Sequence, residues 1–395
     1  MLTKRSIQRD ALGRFAQELV RTPSLSGQEG AVAALVTQEM ERVGFDEVRV
    51  DRMGNVIGRF GANQGRKLLY DAHLDTVDVG DPAAWARPPF GGEIEKGILY
   101  GRGAVDMKGA LAAMIYAVQS LRAGGVQLAG DLYVVGVVQE EPCEGLAIRH
   151  VIEVEQLRPD WVLLGEATNL QLARGQRGRL ALRMTVRGRS CHASAPERGV
   201  NAIYEAARLI VGLEILAPNL NHDAFLGKGS IAVTEIQSVA GSRNAIPDLC
   251  TLYIDRRLTA GETEAKALAE IKRVISREGA NATVEVEEYR GVSYTGYELR
   301  GRQHLPFWAT AEDHPWLCAA ADVVTDVLGF VPHVGKWDFS TDGVYTAGVA
   351  GIPTIGFGPG EERYAHTTEE QVKLQDLEAA ARVYAELAVR MLGTR

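Results

Sequence analysis

Six elements in the order strand, helix, strand, strand, helix, strand interrupt an otherwise regular alternation of single strands and helices in this 395-residue chain. This order is that of the split βαβ plan, a small ferredoxin-like α+β arrangement. A chain with this plan in its middle and α/β alternation on both sides is expected to form two domains, one inserted into the other. The periodicity of apolar residues places the six elements at 180–188, 200–216, 230–239, 249–258, 262–279 and 282–289.

The flanking segments contain short apolar strands that are separated by helical patterns. Such strands are typical of a parallel sheet covered by helices on both faces. We therefore predict an α/β fold with a mostly parallel domain formed by residues 1–178 and 293–395 and an inserted α+β domain formed by residues 179–292. Ser26 and Glu29 are predicted to form a capping box for the helix that follows them. The predicted strands of the larger domain include 67–71, 131–138, 160–165 and 353–358.

Composition disfavours several kinds of partner. The net charge of −8 and the isoelectric point near 5.6 argue against nucleic acids and anionic membranes, and no run of lysine and arginine could follow a phosphate backbone. The cysteines lack CxxC spacing, which predicts neither disulfides nor a thiolate zinc site and fits a reducing cytoplasm. With no apolar run of about 18 residues and no signal peptide, we expect a cytoplasmic protein that binds a small molecule and no membrane. The cysteines are Cys143, Cys191, Cys250 and Cys318.

Polar side chains follow several of the predicted strands, at the point where each strand ends. In an open α/β sheet the carboxyl ends of parallel strands lie along one edge, which is where such folds bind ligands. Residues that are far apart in the sequence can therefore meet there. Those concerned are His73 and Asp75 after the first strand, Asp106 before a helix, Glu140 and Glu141 after the second strand, Glu166 after the third, and His366 in the loop after the fourth.

Two imidazoles and several carboxylates in one cleft need a compensating positive charge, because like charges repel strongly away from water. Borderline divalent cations such as Zn²⁺ accept these ligands, and an aspartate can bridge two of them. Each residue also has a plain structural interpretation: Asp106 alone could cap a helix, and Glu140 and Glu141 alone could lie in a solvated loop. Repeated coincidence at the same edge of one sheet disfavours that alternative, so we predict a site for two divalent cations.

Short motifs surround these residues: H-L-D at 73–75, G-R-G-A-V-D-M-K-G at 101–109, E-E at 140–141, G-E-A-T at 165–168 and A-H-T at 365–367. In order and spacing they resemble the metallo-hydrolases of the M20 peptidase clan, which include acetylornithine deacetylase, succinyl-diaminopimelate desuccinylase, aminoacylase and carboxypeptidase G. The resemblance extends into the inserted domain, where C-H-A-S-A-P-E-R-G-V-N-A-I at 191–203 is similar to the family's lid motif. R-G-Q-R-G-R at 174–179 and K-W-D-F-S-T-D-G-V-Y at 336–345 are most similar to the branch of selenium-metabolism-linked hydrolases.

The resemblance implies two metal sites that share one ligand. His73 and Glu166 would bind one ion, whereas Glu141 and His366 would bind the other. Asp106 would bridge both ions, and the peptide bond that follows it would be cis. Zinc is the expected metal, with cobalt or manganese as alternatives.

The resemblance also implies groups that act on the substrate. Glu140 would be the general base for a metal-bridged hydroxide, and Asp75 would hold the imidazole of His73 in its ligating tautomer. His192 from the lid would stabilise the oxyanion. Candidates for binding a substrate carboxylate are Asn244, Arg257, Arg290 and the backbone of 356–360, which includes Gly358.

We accordingly expect the larger domain to be catalytic and the inserted domain to be a lid that also mediates dimerisation. The predicted reaction is hydrolysis of the amide C–N bond of a small N-acylated amino acid with a free carboxylate. Alternatives are a di- or tripeptidase or a carboxypeptidase of the same fold, and a non-catalytic metal-binding homologue, which an intact Glu140 disfavours. Because His192 lies in the lid, away from the ligand segments, either the lid must close over the site or a second subunit must supply this residue. The family resemblance implies the second alternative, so we predict a homodimer in which His192 reaches the other subunit's active site.

Overall fold

The computed structural model describes residues 7–395. Among these residues, no helix is long and apolar enough to cross a lipid bilayer. The helices are Arg9–Arg21, Gly30–Val43, Gly109–Ala123, Leu146–Glu153, Ala202–Leu216, Glu264–Glu278, Pro315–Leu328, Gly343–Thr346 and Leu374–Leu392. Strands outside the two main sheets include Glu93–Glu95, Ile98–Tyr100 and Gln371–Lys373, which form a small sheet of their own, and the short pair His222–Asp223 and Gly227–Lys228.

Within residues 7–395, nine strands form the central sheet, which is parallel at its centre and mostly antiparallel at its margins. The side chains of the central strands are almost all buried, which explains why these strands are predominantly apolar. The central strands are, in order across the sheet, Asp131–Val137, Lys67–His73, Trp161–Leu164 and Thr354–Gly356. The marginal strands are Glu47–Val50 and Val56–Gly61 on one side, and Leu172–Gln176, Trp308–Ala309 and Val334–Trp337 on the other.

Helices cover both faces of the central sheet, as predicted. Successive side chains of a strand point to opposite faces. The contacts of Tyr70 and of its neighbour Asp71 therefore show which helix packs on each face of the sheet. The hydroxyl of Tyr70 donates to the carbonyl of Tyr384, within the helix Leu374–Leu392, at 2.6 Å. On the opposite face, Asp71 interacts with Asp342, directly before the helix that begins at Gly343. The α/β architecture predicted from strand alternation is therefore confirmed.

The lid contains an antiparallel sheet with the predicted split βαβ plan. Alternate side chains of its two central strands are buried in a hydrophobic core that is separate from the core of the larger domain. The opposite face of the sheet carries polar side chains and is turned away from that core. The strands are, in order across the sheet, Ser230–Gln237, Leu249–Leu258, Gly178–Arg187 and Ala282–Val286.

The segment that connects the lid back to the larger domain has no sharp boundary. The predicted boundary between residues 292 and 293 falls inside the hairpin formed by Glu288–Val292 and Glu298–Arg302. Beyond this hairpin, the short strand His304–Leu305 still pairs with the lid strand Gly178–Arg187. The boundaries given above for the two domains therefore stay a prediction.

The predicted capping box at Ser26 and Glu29 is wrong. The helix begins at Gly30, with Glu29 as its N-cap residue and no side-chain capping bond. The Ser26 hydroxyl instead donates to Asp75 Oδ2 at 2.7 Å, and Glu29 Oε1 accepts from the main-chain N–H of Gln139 at 3.1 Å. Both side chains instead form hydrogen bonds with buried polar groups at the strand ends. A buried polar group without a partner costs more folding free energy than a helix N-terminus without a side-chain cap.

Candidate metal centre

Neighbouring parallel strands bring the predicted polar residues to one edge of the central sheet. Because these strands run in the same direction and are hydrogen-bonded to one another, their carboxyl ends lie side by side. Each strand ends where the chain leaves the core, and polar residues stand at that end or within a few positions of it. The residues placed there are His73 at the end of its strand, Glu140, Glu141 and Glu166 just after theirs, and Asp106 and His366 from adjoining loops.

Asp106 lies between the two histidines. Its Oδ1 is 2.9 Å from His73 Nε2, and its Oδ2 is 3.0 Å from His366 Nε2. One carboxylate oxygen thus faces each imidazole, as in a carboxylate that serves a two-metal site. The peptide bond from Asp106 to Met107 is cis, as predicted.

Glu141 and Glu166 complete two groups around this aspartate. Glu141 Oε2 lies 3.1 Å from His366 Nε2, whereas Glu166 Oε1 lies 3.8 Å from His73 Nε2. His73 and Asp106 also present ligand atoms within 4.8 Å of a Glu141 oxygen, so the two groups form one compact cluster. These contacts bring together the residues predicted as ligands, and the assignment of each to a metal ion stays a prediction.

Asp75 organises the main chain behind the cluster. Its Oδ1 accepts from the N–H of Glu140 at 3.1 Å, and its Oδ2 accepts from the N–H of Glu141 at 3.3 Å. His73 Nδ1 lies 2.9 Å from the main-chain carbonyl of Asp75 and 3.6 Å from its carboxylate. The carbonyl is the closer partner, and an Nδ1–H that donates to it leaves Nε2 free to act as a ligand. Asp75 thus holds His73 mainly through its backbone, while its side chain holds the glutamate pair.

The carboxylates of the cluster are buried together. Burial raises the pKa of Glu140, Glu141 and Glu166 above the ordinary value of a glutamate. Burial acts in the same direction on Asp106, but its hydrogen bonds with the two imidazoles outweigh it and hold the pKa of Asp106 below its usual range. Hydrogen bonds to Asp106 and Glu141 raise the pKa of His366 to about 10. The cluster therefore favours bound positive charge.

Glu140 has an orphaned oxygen within this cluster. Its side chain is buried, and its Oε1 has no hydrogen-bond partner among residues 7–395. A buried carboxylate oxygen without a partner is costly unless a proton, a water molecule or a cation meets it. Together with two imidazoles and three further carboxylates, this oxygen makes a donor set that fits divalent cations.

A cavity of about 390 Å³ opens in front of the cluster. Its volume is at the lower end of the range of roughly 300–1,000 Å³ that is usual for small-molecule pockets. The wall formed by the larger domain is acidic, whereas the lid contributes two guanidinium groups. The lining residues include Asp106, Glu140, Glu141, Glu166 and His366 from the larger domain and Arg179 and Arg257 from the lid, together with Glu144, Ser340 and Glu362.

Residues 69–390 match the family model described as Peptidase family M20/M25/M40. The chain belongs to peptidase family M20. The predicted resemblance to this family, and the prediction of a metal-dependent peptidase or amidohydrolase, are therefore confirmed. The selenium-metabolism-linked branch of the family stays a prediction.

Individual M20 relatives align along nearly the whole chain. The Escherichia coli (strain K12) protein named Uncharacterized protein YgeY is 41% identical over 381 residues, 96% of this chain and 94% of that protein. The succinyl-diaminopimelate desuccinylase of Alkalilimnicola ehrlichii is 28% identical over 389 residues, 96% of this chain and 98% of that enzyme. The structure of Bacillus subtilis YXEP protein, a dinuclear metal binding peptidase of the family, is 18% identical with a TM-score of 0.71. That similarity covers 98% of this chain and 99% of that one, and it shows the same fold.

Two of the residues predicted to face the substrate of this M20 protein lie outside the cavity. His192 and Asn244 are exposed neighbours on the lid, where the N–H of Ala193 donates to the carbonyl of Asn244 at 2.7 Å. His192 Nδ1 lies 2.7 Å from the hydroxyl of Ser194. Neither His192 nor Asn244 lines the cavity within its own subunit.

The other predicted substrate residues occupy three different environments. Arg257 lines the cavity, whereas Arg290 is exposed, does not line it and pairs with Glu288 at 2.5 Å. Gly358 lies behind the M20 site, where a Cβ would come within 2.2 Å of the Gly165 carbonyl oxygen and 2.3 Å of that of Glu166. Only glycine permits this approach, which holds Glu166 at the edge of the sheet.

The loop that carries Asp106 is supported by two residues that the sequence motifs did not identify as functional. Glu370 Oε1 accepts from the main-chain N–H groups of Val105 and Asp106, each at 3.2 Å, and Arg102 pairs with Glu370 in the protein interior. Arg102 lies in the glycine-rich motif around Asp106, so this motif could have indicated its role. Glu370 is 264 residues from Asp106 and has no local pattern that points to it.

Proposed function

We propose that this protein is a di-metal amidohydrolase that cleaves the amide C–N bond of a small N-acylated amino acid. The observation that carries the proposal is Asp106 held between His73 and His366 beside Glu140. A cavity of small-molecule size separates these groups from Arg257, whose planar guanidinium suits a substrate carboxylate. A substrate with an amide and a free carboxylate fits between the two walls.

We assign the metal ligands as the family resemblance implies. His73 and Glu166 would hold one ion, Glu141 and His366 the other, and Asp106 both. When bound, two such ions polarise a carbonyl oxygen and lower the pKa of water towards neutrality. Zinc, cobalt and manganese all accept imidazole and carboxylate ligands, and zinc is the first candidate.

Protein purified without a chelator, or reconstituted with Zn²⁺, is expected to contain about two divalent ions per chain. Elemental analysis of a sample of known protein concentration measures this ratio. Glu362→Gln is a suitable control, because Glu362 lines the same cavity without being a proposed ligand, and it should bind the same amount of metal. A folded protein that retains only background metal after reconstitution would contradict the ligand assignment.

Glu140 is the group we assign to proton transfer. Its carboxyl lines the cavity, and its main-chain N–H is fixed by Asp75. In the reaction Glu140 takes a proton from the attacking water and delivers it to the departing amine nitrogen. Asp75, Ser26 and the strand before Glu140 hold this group in place without touching the substrate.

A di- or tripeptidase or a carboxypeptidase is the second candidate, because it applies the same chemistry to a peptide bond. The relatives support both possibilities, since one is named a desuccinylase and another a peptidase. Initial rates on N-acetyl, N-succinyl and N-carbamoyl amino acids and on dipeptides, with Zn²⁺, Co²⁺ or Mn²⁺ added, separate them. Faster hydrolysis of dipeptides would favour the peptidase, and a metal-loaded protein that hydrolyses none would be a non-catalytic homologue.

We infer that the protein forms a homodimer through the lid. The strand Ser230–Gln237 lies at an edge of the lid sheet, which favours pairing with a second copy. The helix Ala202–Leu216 exposes Tyr204, Val211 and Ile215, at 66%, 52% and 55% of their surface. A C2 dimer would cover these groups. It would also explain why His192 and Asn244 lie outside the cavity of their own subunit.

Mixed dimers of His192→Ala and Glu140→Ala are expected to regain activity that each variant lacks alone. In such a dimer one site has Glu140 from one chain and His192 from the other, so up to about half of the sites are intact. The two proteins, carrying different tags, are unfolded together, refolded, purified through both tags and assayed. No recovery in verified mixed dimers, or an active enzyme that is strictly monomeric, would refute the role of His192 across the interface.

We also propose a cytoplasmic location, without nucleic-acid or membrane partners. The cysteines are free in the structure, which fits a reducing compartment. The net charge of −8 disfavours binding to polyanions. Subcellular fractionation of cells that express the tagged protein would test the location.

A further inference from the structure

Two arginines of the lid line the same cavity as the candidate metal ligands. Arg179 and Arg257 are directly opposite each other on neighbouring antiparallel strands. Both line the cavity that contains Asp106 and Glu140. Like charges at directly opposite positions destabilise a sheet. The pair is therefore expected to have anionic partners, and the structure supplies them only in part.

Asp255 is shared by both guanidiniums. Its Oδ1 accepts from Arg257 Nε at 2.7 Å, and its Oδ2 accepts from Arg257 Nη2 at 3.2 Å and from Arg179 Nε at 3.0 Å. A guanidinium has five N–H donors, so most donors of Arg179 and some of Arg257 are not used by Asp255. The two side chains are 29% and 25% exposed. One carboxylate thus orients two cations and leaves an excess positive charge.

Glu144 compensates this excess only weakly. Its Oε1 lies 3.8 Å from Arg179 Nη1, which is beyond hydrogen-bond distance. Its Oε2 is buried and has no hydrogen-bond partner among the described residues. Burial raises the pKa of Glu144 to about 7, so its carboxyl is incompletely charged near neutral pH. Arg179 therefore keeps donors and charge for a group that enters the cavity.

We propose that Arg179 and Arg257 form a double anion subsite that selects amide substrates with two carboxylates. The inference rests on the proposed amidohydrolase function, because it names the substrate class of the same cavity. A guanidinium binds one carboxylate through two parallel N–H donors, so two guanidiniums held side by side fit a dianion. The second carboxylate can belong to the acyl group or to the amino-acid side chain. Arg179 is the residue that distinguishes a dianion from a monoanion.

Two matched pairs of substrates test this subsite. N-acetylglutamate is compared with N-acetylglutamine, and N-succinylalanine with its succinamide analogue, so that each pair differs only in one carboxylate. Arg179→Met is expected to lower kcat/KM for the dianion by roughly 10- to 100-fold, the range of a lost charge-assisted hydrogen bond. For the carboxamide partner the loss should be about 3-fold or less. The substrate pair in which Arg179→Met selectively lowers kcat/KM for the dianion identifies which part of the substrate carries the second carboxylate.

Arg183→Met is the matched control. Arg183 lies on the same strand and the same face of the lid sheet, but it pairs with Glu285 and Glu287 and does not line the cavity. The Arg183→Met protein should show the same ratio of kcat/KM between the two members of each substrate pair as the wild type. Arg179→Lys keeps the charge without the planar fork and should lose less than Arg179→Met. Equal losses on dianion and carboxamide in Arg179→Met, or no loss on either dianion, would overturn the subsite.

Direct binding separates this inference from the proposed function. Calorimetric titration of the wild type and of Arg179→Met with N-acetylglutamate and N-succinylalanine needs no turnover, and melting temperature and metal content check both proteins. Binding that depends on Arg179 without hydrolysis would refute the amidohydrolase and keep the subsite. Hydrolysis of monoanionic amides alone would keep the amidohydrolase and overturn the subsite. If the wild type neither binds nor hydrolyses any dianion, the subsite is also overturned.

Discussion

Glu140→Ala protein is expected to keep both metal ions and to lose roughly 10²- to 10⁴-fold in turnover, the usual contribution of a general acid–base group. The side chain of Glu140 lines the cavity, and its Oε1 has no protein partner among residues 7–395. Its removal therefore takes away a proton acceptor without breaking a hydrogen bond of that oxygen. Steady-state rates and metal content, measured on the same preparation, give the two quantities.

Glu141→Ala provides the contrast, because the neighbouring side chain contacts His366 at 3.1 Å and is assigned to a metal. This variant should lose about one ion per chain in addition to activity. In both variants the main-chain N–H groups of residues 140 and 141 can still donate to Asp75. The local backbone is therefore expected to be the same, and the two variants can be compared directly. Equal metal loss in the two variants would show that the roles of the adjacent glutamates have been exchanged or misassigned.

Asp106→Ala should have the largest effect on the metal centre. Asp106 contacts both imidazoles, so its removal is expected to abolish binding of both ions and to lower kcat/KM at least about 10³-fold. The magnitude follows from the several kcal/mol that bound metal ions contribute to transition-state stabilisation. Elemental analysis and initial rates measure the two losses, and circular dichroism shows whether the fold is kept.

Asp338→Ala is the control for Asp106→Ala, because it makes the same aspartate-to-alanine change away from the site. Asp338 is exposed, pairs with Lys336 at 2.6 Å and does not line the cavity. It should keep the wild-type metal content and rate. An Asp106→Ala protein that still contains two ions would remove Asp106 from the ligand set, whatever its activity.

The strand ends of the site could be predicted because a predominantly apolar run stops at each of them. The run before Glu140 was predicted at 131–138 and is the strand Asp131–Val137. The same pattern placed His73 and Glu166, since burial on both faces makes the interior of such a strand predominantly apolar. Parallel pairing then fixes which ends meet, so the convergence of the site follows from the sequence.

Contacts between distant segments could not be predicted in this way. The hydroxyl of Ser26 binds Asp75, although the local pattern favoured a helix cap. Glu370 supports the backbone of Asp106 from the far end of the chain. Arg179 reaches the cavity only because the register of two lid strands sets it opposite Arg257, and no pattern near residue 179 specifies that register.

The lid presents functional groups in two directions. Arg179 and Arg257 line the cavity of their own subunit, whereas His192 lies outside it, on the same domain. In the proposed dimer, each lid would therefore contribute to two active sites at once. A rigid movement of one lid over its own substrate would displace the histidine that serves the other site. The two catalytic cycles would then be mechanically linked, and substrate saturation curves of such a dimer would be cooperative rather than hyperbolic.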